Sequence, residues 1–92
     1  MKKAYNIICP VCNKDIWGAK NLHHVFGNAY KKKSEEDLFL MNLHPECHIN
    51  LHSDPTIEKS LKIKCQEWYE KEGHTRDEFI KRYGQSYILW NL

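Results

Sequence analysis

The chain contains no apolar run approaching the eighteen or so residues that a membrane-spanning helix requires, so no membrane segment is expected. It has no internal repeat, no low-complexity tract and no linker, which argues against arrays and leaves one continuous domain over residues 1–92. Net charge is also small: 14 Lys and Arg against 12 Asp and Glu give +2, a balance too slight to name a partner by itself. Met1 to Ile8 is short, partly basic and without a secretory h-region, so the expected compartment is the cytoplasm. In that compartment a disulfide framework is the weaker reading of the cysteines. A chain of 92 residues buries a core that contributes only a few kcal/mol, and a structural metal would supply the missing staple.

Metal-ligating side chains, by contrast, are plentiful, with 6 His and 4 Cys. Cys9 and Cys12 form a C-x-x-C knuckle, and His44 and Cys47 form an H-x-x-C knuckle further on. Two such knuckles, the second opening a helix, suit a closed Cys3His tetrahedron around a structural zinc ion. The spacing also admits His48 as fourth ligand in place of His44. The competing reading is a set of reduced, buried thiols with His44 as a satisfied core histidine. A redox role for Cys9 and Cys12 fails on context, because no thioredoxin-like βαβ pattern surrounds them.

The remaining histidines form a second group. Successive side chains of a strand point to opposite faces, so His23 and His24 cannot both meet one ion. His48 and His52 stand four residues apart, on one face of a helix. His23, His48 and His52 are therefore candidate ligands of a divalent ion (magnesium, manganese, nickel or zinc), with positions left open for phosphate and water. His24 is then a spare base. His74 lies far from this group beside a helix cap and reads as a surface side chain. Lys31, Lys32 and Lys33, close after the double histidine, would offer positive charge to an approaching phosphate, whereas a lysine triplet alone is more simply a solvated loop.

A coarse pass along the chain predicts a short strand at residues 4–8 and an irregular hairpin with arms at Ile16-Trp17 and Leu22–Phe26, broken at Gly27-Asn28. Leu38–Leu43 has the length of a strand, with helix as the competitor because Leu and Met favour it. Pro45 suits a first helical turn, so a short helix runs to Leu51 or His52. Asp54 as N-cap and Pro55 behind it open a longer helix to about Glu72, stopped by Gly73. Its core-facing stripe is Ile57, Leu61, Cys65 and Trp68, with Tyr69 adjoining and Cys65 a small buried hydrophobe rather than a ligand. Thr75 and Glu78 have the form of a capping box opening a last helix through Phe79, Ile80 and Tyr83 to Gly84. The apolar tail Tyr87–Trp90 is expected to dock on the body, with a strand as its candidate form.

In this order, Cys9-x-x-Cys12, His23-His24, Asn42-Leu43-His44-x-x-Cys47-His48 and His52 resemble the HNH, or ββα-metal, endonucleases. The strings LHHVFGNAYKKKSEE and TRDEFIKRYGQSYI are similar to small phage-type HNH proteins, the pattern of the RecA-dependent phage nucleases, so the likeness spans most of the chain. The resemblance implies an α+β fold, with a zinc-stabilised ββα-metal core over about residues 5–53 and C-terminal helices over about 54–92. It implies His24 as general base, a divalent ion on His23, His48 and His52, and Asn42 bracing the loop between strand and helix. The implied reaction is hydrolysis of DNA phosphodiesters to 5′-phosphate and 3′-hydroxyl ends, with Lys31, Lys32 and Lys33 as a backbone clamp. Histidine suits the base, since an unperturbed imidazole titrates at about 6.5. His44 stands where such nucleases usually have cysteine, and His23 where many have aspartate. The chain has no separate reading domain, so weak sequence preference, or targeting through a protein partner or homodimer, is expected. The reading from a different class is a zinc-stabilised nucleic-acid-binding module without catalysis.

Overall fold

The computed structural model describes residues 4–88. Its centre is a two-stranded antiparallel sheet in which β1 (Asn21–His24) pairs with β2 (Leu40–Leu43), placing His23 opposite Met41 and Leu22 opposite Asn42. A single 3-10 turn at Asn28–Tyr30 leads into the short helix α1 (Lys31–Glu36) between the strands. After β2 come α2 (Pro45–Ser53), α3 (Pro55–Lys71) and α4 (Arg76–Tyr83). The result is a small α+β fold with two strands and, among the described residues, four α-helices.

The helix boundaries follow local chemistry. His44 in extended conformation precedes Pro45, and Asp54 both ends α2 and caps α3, its Oδ1 accepting the Thr56 N–H at 2.9 Å. The capping box of α4 is formed: Glu78 N–H donates to Thr75 Oγ1 at 3.1 Å while Glu78 Oε1 accepts the Thr75 N–H at 2.7 Å. Thr75→Ala is expected to remove about 1 kcal/mol of stability, read as a lowered urea midpoint at unchanged slope. Gly84 ends α4 at φ 88°, and a Cβ there would stand 2.5 Å from Tyr30 Oη, so both conformation and space require glycine.

An aromatic cluster holds these elements together. Phe26, leaving β1, packs on Tyr83 at 4.4 Å between ring centroids, and Phe79 of α4 meets Tyr83 at 4.9 Å, with Phe39, Leu43, Leu51, Leu61 and Cys65 completing the buried set. Charge ties α1 to α4: Arg82 donates to Asp37 at 2.7 Å and to Glu36 at 2.9 Å, and Tyr83 donates to Asp37. Burial, reinforced by the Asp37 carboxylate, holds the Tyr83 phenol well above its ordinary range. Gln66 is fully buried and accepts the Tyr87 N–H at 2.7 Å, which docks the chain after α4 against α3 without a strand at Tyr87 or Ile88. Leu89 and Trp90 lie outside the described residues.

Several sequence expectations are corrected. Residues 4–8 form no strand: Asn6 substitutes its side chain for a ladder, its Oδ1 accepting the Asn42 N–H at 2.8 Å and its amide donating to the Asn42 carbonyl at 3.0 Å. Ile16-Trp17 is no hairpin arm of β1, because the first knuckle folds on itself, with a single bridge between Ile8 and Asp15 and Ile16 N–H donating to Ile7. β1 finds its partner in β2 instead. The strand over Leu38–Leu43 begins only at Leu40, since Leu38 adopts φ 61° and turns its side chain outward. Trp68 is 60% exposed rather than in the core stripe: the helical period allows either Trp68 or Tyr69 to follow Cys65 inward, and Tyr69 takes the position by packing on Phe79 at 5.6 Å. Lys31, Lys32 and Lys33 are the first turn of α1 and not a loop.

Candidate metal centres

The first knuckle is a tight turn. Asn13 N–H donates to Cys9 and Cys9 N–H to Lys14, with Asn13 in the left-handed region that its side chain tolerates, so both thiols face one point. The start of α2 delivers the other two donors. His44 Nδ1 lies 3.4 Å from Cys12 Sγ and 3.8 Å from Cys47 Sγ, and the donor atoms of Cys9, Cys12, His44 and Cys47 all fall within 4.8 Å of one another. Sulfur ligands about 2.3 Å from an ion span at most about 4.6 Å across it, so the group is within a small adjustment of coordination distance. The far nitrogen, His44 Nε2, is 3.1 Å from the Asp15 carbonyl, and donation to that oxygen leaves Nδ1 with the lone pair a metal needs. His44 thus completes the set, while His48 faces elsewhere.

Burial and hydrogen bonding separate the thiols of this group. Burial alone would raise Cys9, but N–H groups of His44, Cys12 and Val11 outweigh it and hold the thiol down at about 6. Cys47 is pushed up to about 12, first by burial and then by hydrogen bonds to Cys9 and Cys12. Cys65 stands apart in the core, raised to about 12 by burial alone, an inert thiol.

The second group is built on β1 and α2. Strand alternation turns His23 into the interior, where it is 6% exposed, and sends His24 to the opposite side. One helical turn of α2 stacks His48 and His52, whose Nε2 atoms approach to 3.1 Å. His23 closes the triangle at 5.3 Å from the His48 ring and 5.8 Å from the His52 ring, with all three donor atoms inside 4.8 Å. Its Nε2 is buried and finds no hydrogen-bond partner. An orphaned buried nitrogen, on a ring packed against two more imidazoles, is costly, and a shared cation is one partner that would offset that cost. Burial first, then repulsion from His48 and His52, pushes His23 down to about 4, and burial followed by His52 lowers His48, so both shifts favour the neutral imidazole. Asn21 Nδ2 lies 3.2 Å from His48 Nδ1; with an ion on Nε2 the Asn21 amide would present its oxygen there instead.

His24, on the other side of β1, has its Nε2 2.7 Å from Glu35 Oε2 of α1. A cleft of about 510 Å3 opens over these histidines, lined by His23, His24, His52, Glu58, Lys62 and Tyr87 and by the Gly27–Tyr30 turn. Glu35, Glu58 and Lys62 carry no signal at the level of sequence, since each lies in a polar stretch without a motif. Asn42 is buried in β2, and its side-chain amide donates to the Ala4 and Asn6 carbonyls, so it braces the N-terminal segment rather than the loop between strand and helix. Lys33 donates to the Arg82 carbonyl at 2.9 Å and lies over the Tyr30 ring, so it is engaged within the protein, while Lys31 and Lys32 remain exposed. His74 is exposed and stacks on Tyr69 at 4.1 Å.

No protein-family model matches the chain, and neither a curated protein nor a solved structure matches it. Among the described residues no helix is long and apolar enough to cross a membrane.

Proposed function

We propose that this protein is a metal-dependent endonuclease of the HNH type, acting on DNA, with zinc in the Cys9, Cys12, His44 and Cys47 group as a structural staple. The observation that carries the reading is the orphaned Nε2 of His23, buried against His48 and His52 with His24 directed to the other side of the strand. Such a three-histidine set leaves positions open, as a hydrolytic rather than a structural metal site does. A divalent ion there would offset charge on the scissile phosphate and the departing 3′ oxygen. The chain's own residues supply the rest: His24 accepts the proton of the attacking water, and the cleft over Gly27–Tyr30 receives the backbone beside it. Exposed Lys31 and Lys32 offer positive charge to neighbouring phosphates, whereas Lys62, lining that cleft, is paired with Glu58 at 3.2 Å.

Elemental analysis paired with plasmid nicking across magnesium, manganese, nickel and zinc tests this. Two ions per chain, one resistant to mild chelation and one exchangeable, with divalent-dependent nicking, are expected. His48→Ala should abolish the exchangeable ion and the nicking together while the tight ion stays, measured by calorimetric titration and metal content. Tight DNA binding with no cleavage under any ion would instead establish a zinc-stabilised binding module.

A further inference from the structure

Helix α1 is short, yet its placement is over-determined. Ser34 is fully buried and clamps the exit of β1, its Oγ accepting the Phe26 N–H at 3.0 Å and donating to the Phe26 carbonyl at 2.7 Å. On its other side α1 is held by Lys33 on the Arg82 carbonyl and by Arg82 on Glu36 and Asp37. Glu35, next to the clamped serine, is therefore delivered to a fixed point, where its Oε2 lies 2.7 Å from His24 Nε2 with both side chains less than one-fifth exposed. A carboxylate only accepts, so the imidazole nitrogen facing it carries the hydrogen. The lone pair is then on Nδ1.

We propose that Glu35 is the positioning residue of His24, fixing it as the Nε2–H tautomer and aiming Nδ1 at the water; the assignment rests on the nuclease reading. In the step this serves, Nδ1 takes one proton from water and the oxygen bonds to phosphorus as the bond to the 3′ oxygen breaks. That oxygen departs with the electron pair and is protonated from solvent, while the imidazolium stays paired with the Glu35 carboxylate. The pairing also removes Nε2 of His24 from competition for an ion, which keeps base and ligands distinct on adjacent residues.

The test combines nitrogen-15 spectra of the histidine side chains in the purified protein with nicking kinetics. Wild type is expected to show His24 as a single Nε2–H tautomer, and Glu35→Ala a mixture, with backbone resonances outside α1 unmoved. Its kcat for plasmid nicking should fall on the order of 10- to 100-fold, the range for partners that orient histidines, with KM for plasmid unchanged. Glu35→Gln, equal in size and still an acceptor, should keep the tautomer and recover part of kcat; if Glu35→Ala loosens the fold, this variant carries the kinetic arm. An Nδ1–H tautomer in wild type, or kcat of wild-type size in both variants, overturns the proposal. A wild type inactive with all four ions overturns the nuclease reading and the base role together, whereas active wild type with indifferent Glu35 variants removes only the pairing.

Discussion

His24→Ala is expected to lower plasmid nicking by about 10²- to 10⁴-fold, the contribution of a positioned general base, with no loss of either metal ion. The separation of effects is what makes this informative. His24 lies on the face of β1 away from His23, and its Nε2 is occupied by Glu35, so truncating it leaves the donor atoms of His23, His48 and His52 in place. The far-ultraviolet spectrum and the metal content should match wild type while turnover collapses. A variant that nicks as fast as wild type would remove His24 from the chemistry, and one that loses an ion would make it a ligand.

The second large effect concerns the staple. Cys47→Ser, or removal of the tight ion by a strong chelator, is expected to abolish the cooperative unfolding transition. Structural zinc sites contribute about 10–16 kcal/mol to small domains in apparent terms, as much as or more than the whole stability of a domain this size. Geometry gives the reason: the cluster joins the first knuckle to the start of α2, and Cys9 and Cys47 are themselves part of the buried core. The acid side follows with a definite sign. Cys47 held up at about 12 is a thiol at neutral pH, so a cation must displace its proton, and zinc binding should release protons and weaken as the pH falls. Proton release on titrating zinc into weakly buffered apoprotein measures it. Binding that is insensitive to pH between 6 and 8 would mean that the thiols are not the ligands.

Helix ends were readable because their signals are local. Pro45, Asp54 with Pro55, the Thr75 to Glu78 box and Gly84 each act within a turn of their own position, and the observed boundaries follow them. Strand pairing was not readable in the same way. β1 has two candidate neighbours in sequence, and what excludes the nearer one is a knuckle that closes on itself, engaging Asp15 with Ile8 and Ile16 with Ile7. Trp68 and Tyr69 compete for one inward position, and only the placement of Phe79 and Phe39 awards it to the tyrosine. Helix α1 escaped because a lysine triplet followed by Ser-Glu-Glu has no apolar period; its stability comes from the Ser34 clamp and the Arg82 contacts.

The sequence alone determined which donors exist and their local phase: two knuckles, one alternating pair of histidines, one pair a helical turn apart. Those relations span a few residues and are set by backbone period. Tertiary structure decided which donors meet. Folding β1 against α2 brings His23 to His48 and His52 across more than twenty positions, turning Asp15 to His44 places the fourth candidate donor beside the cysteines, and carrying α1 onto β1 gives His24 its carboxylate. Each of these depends on how elements distant in the chain pack, which no local period encodes.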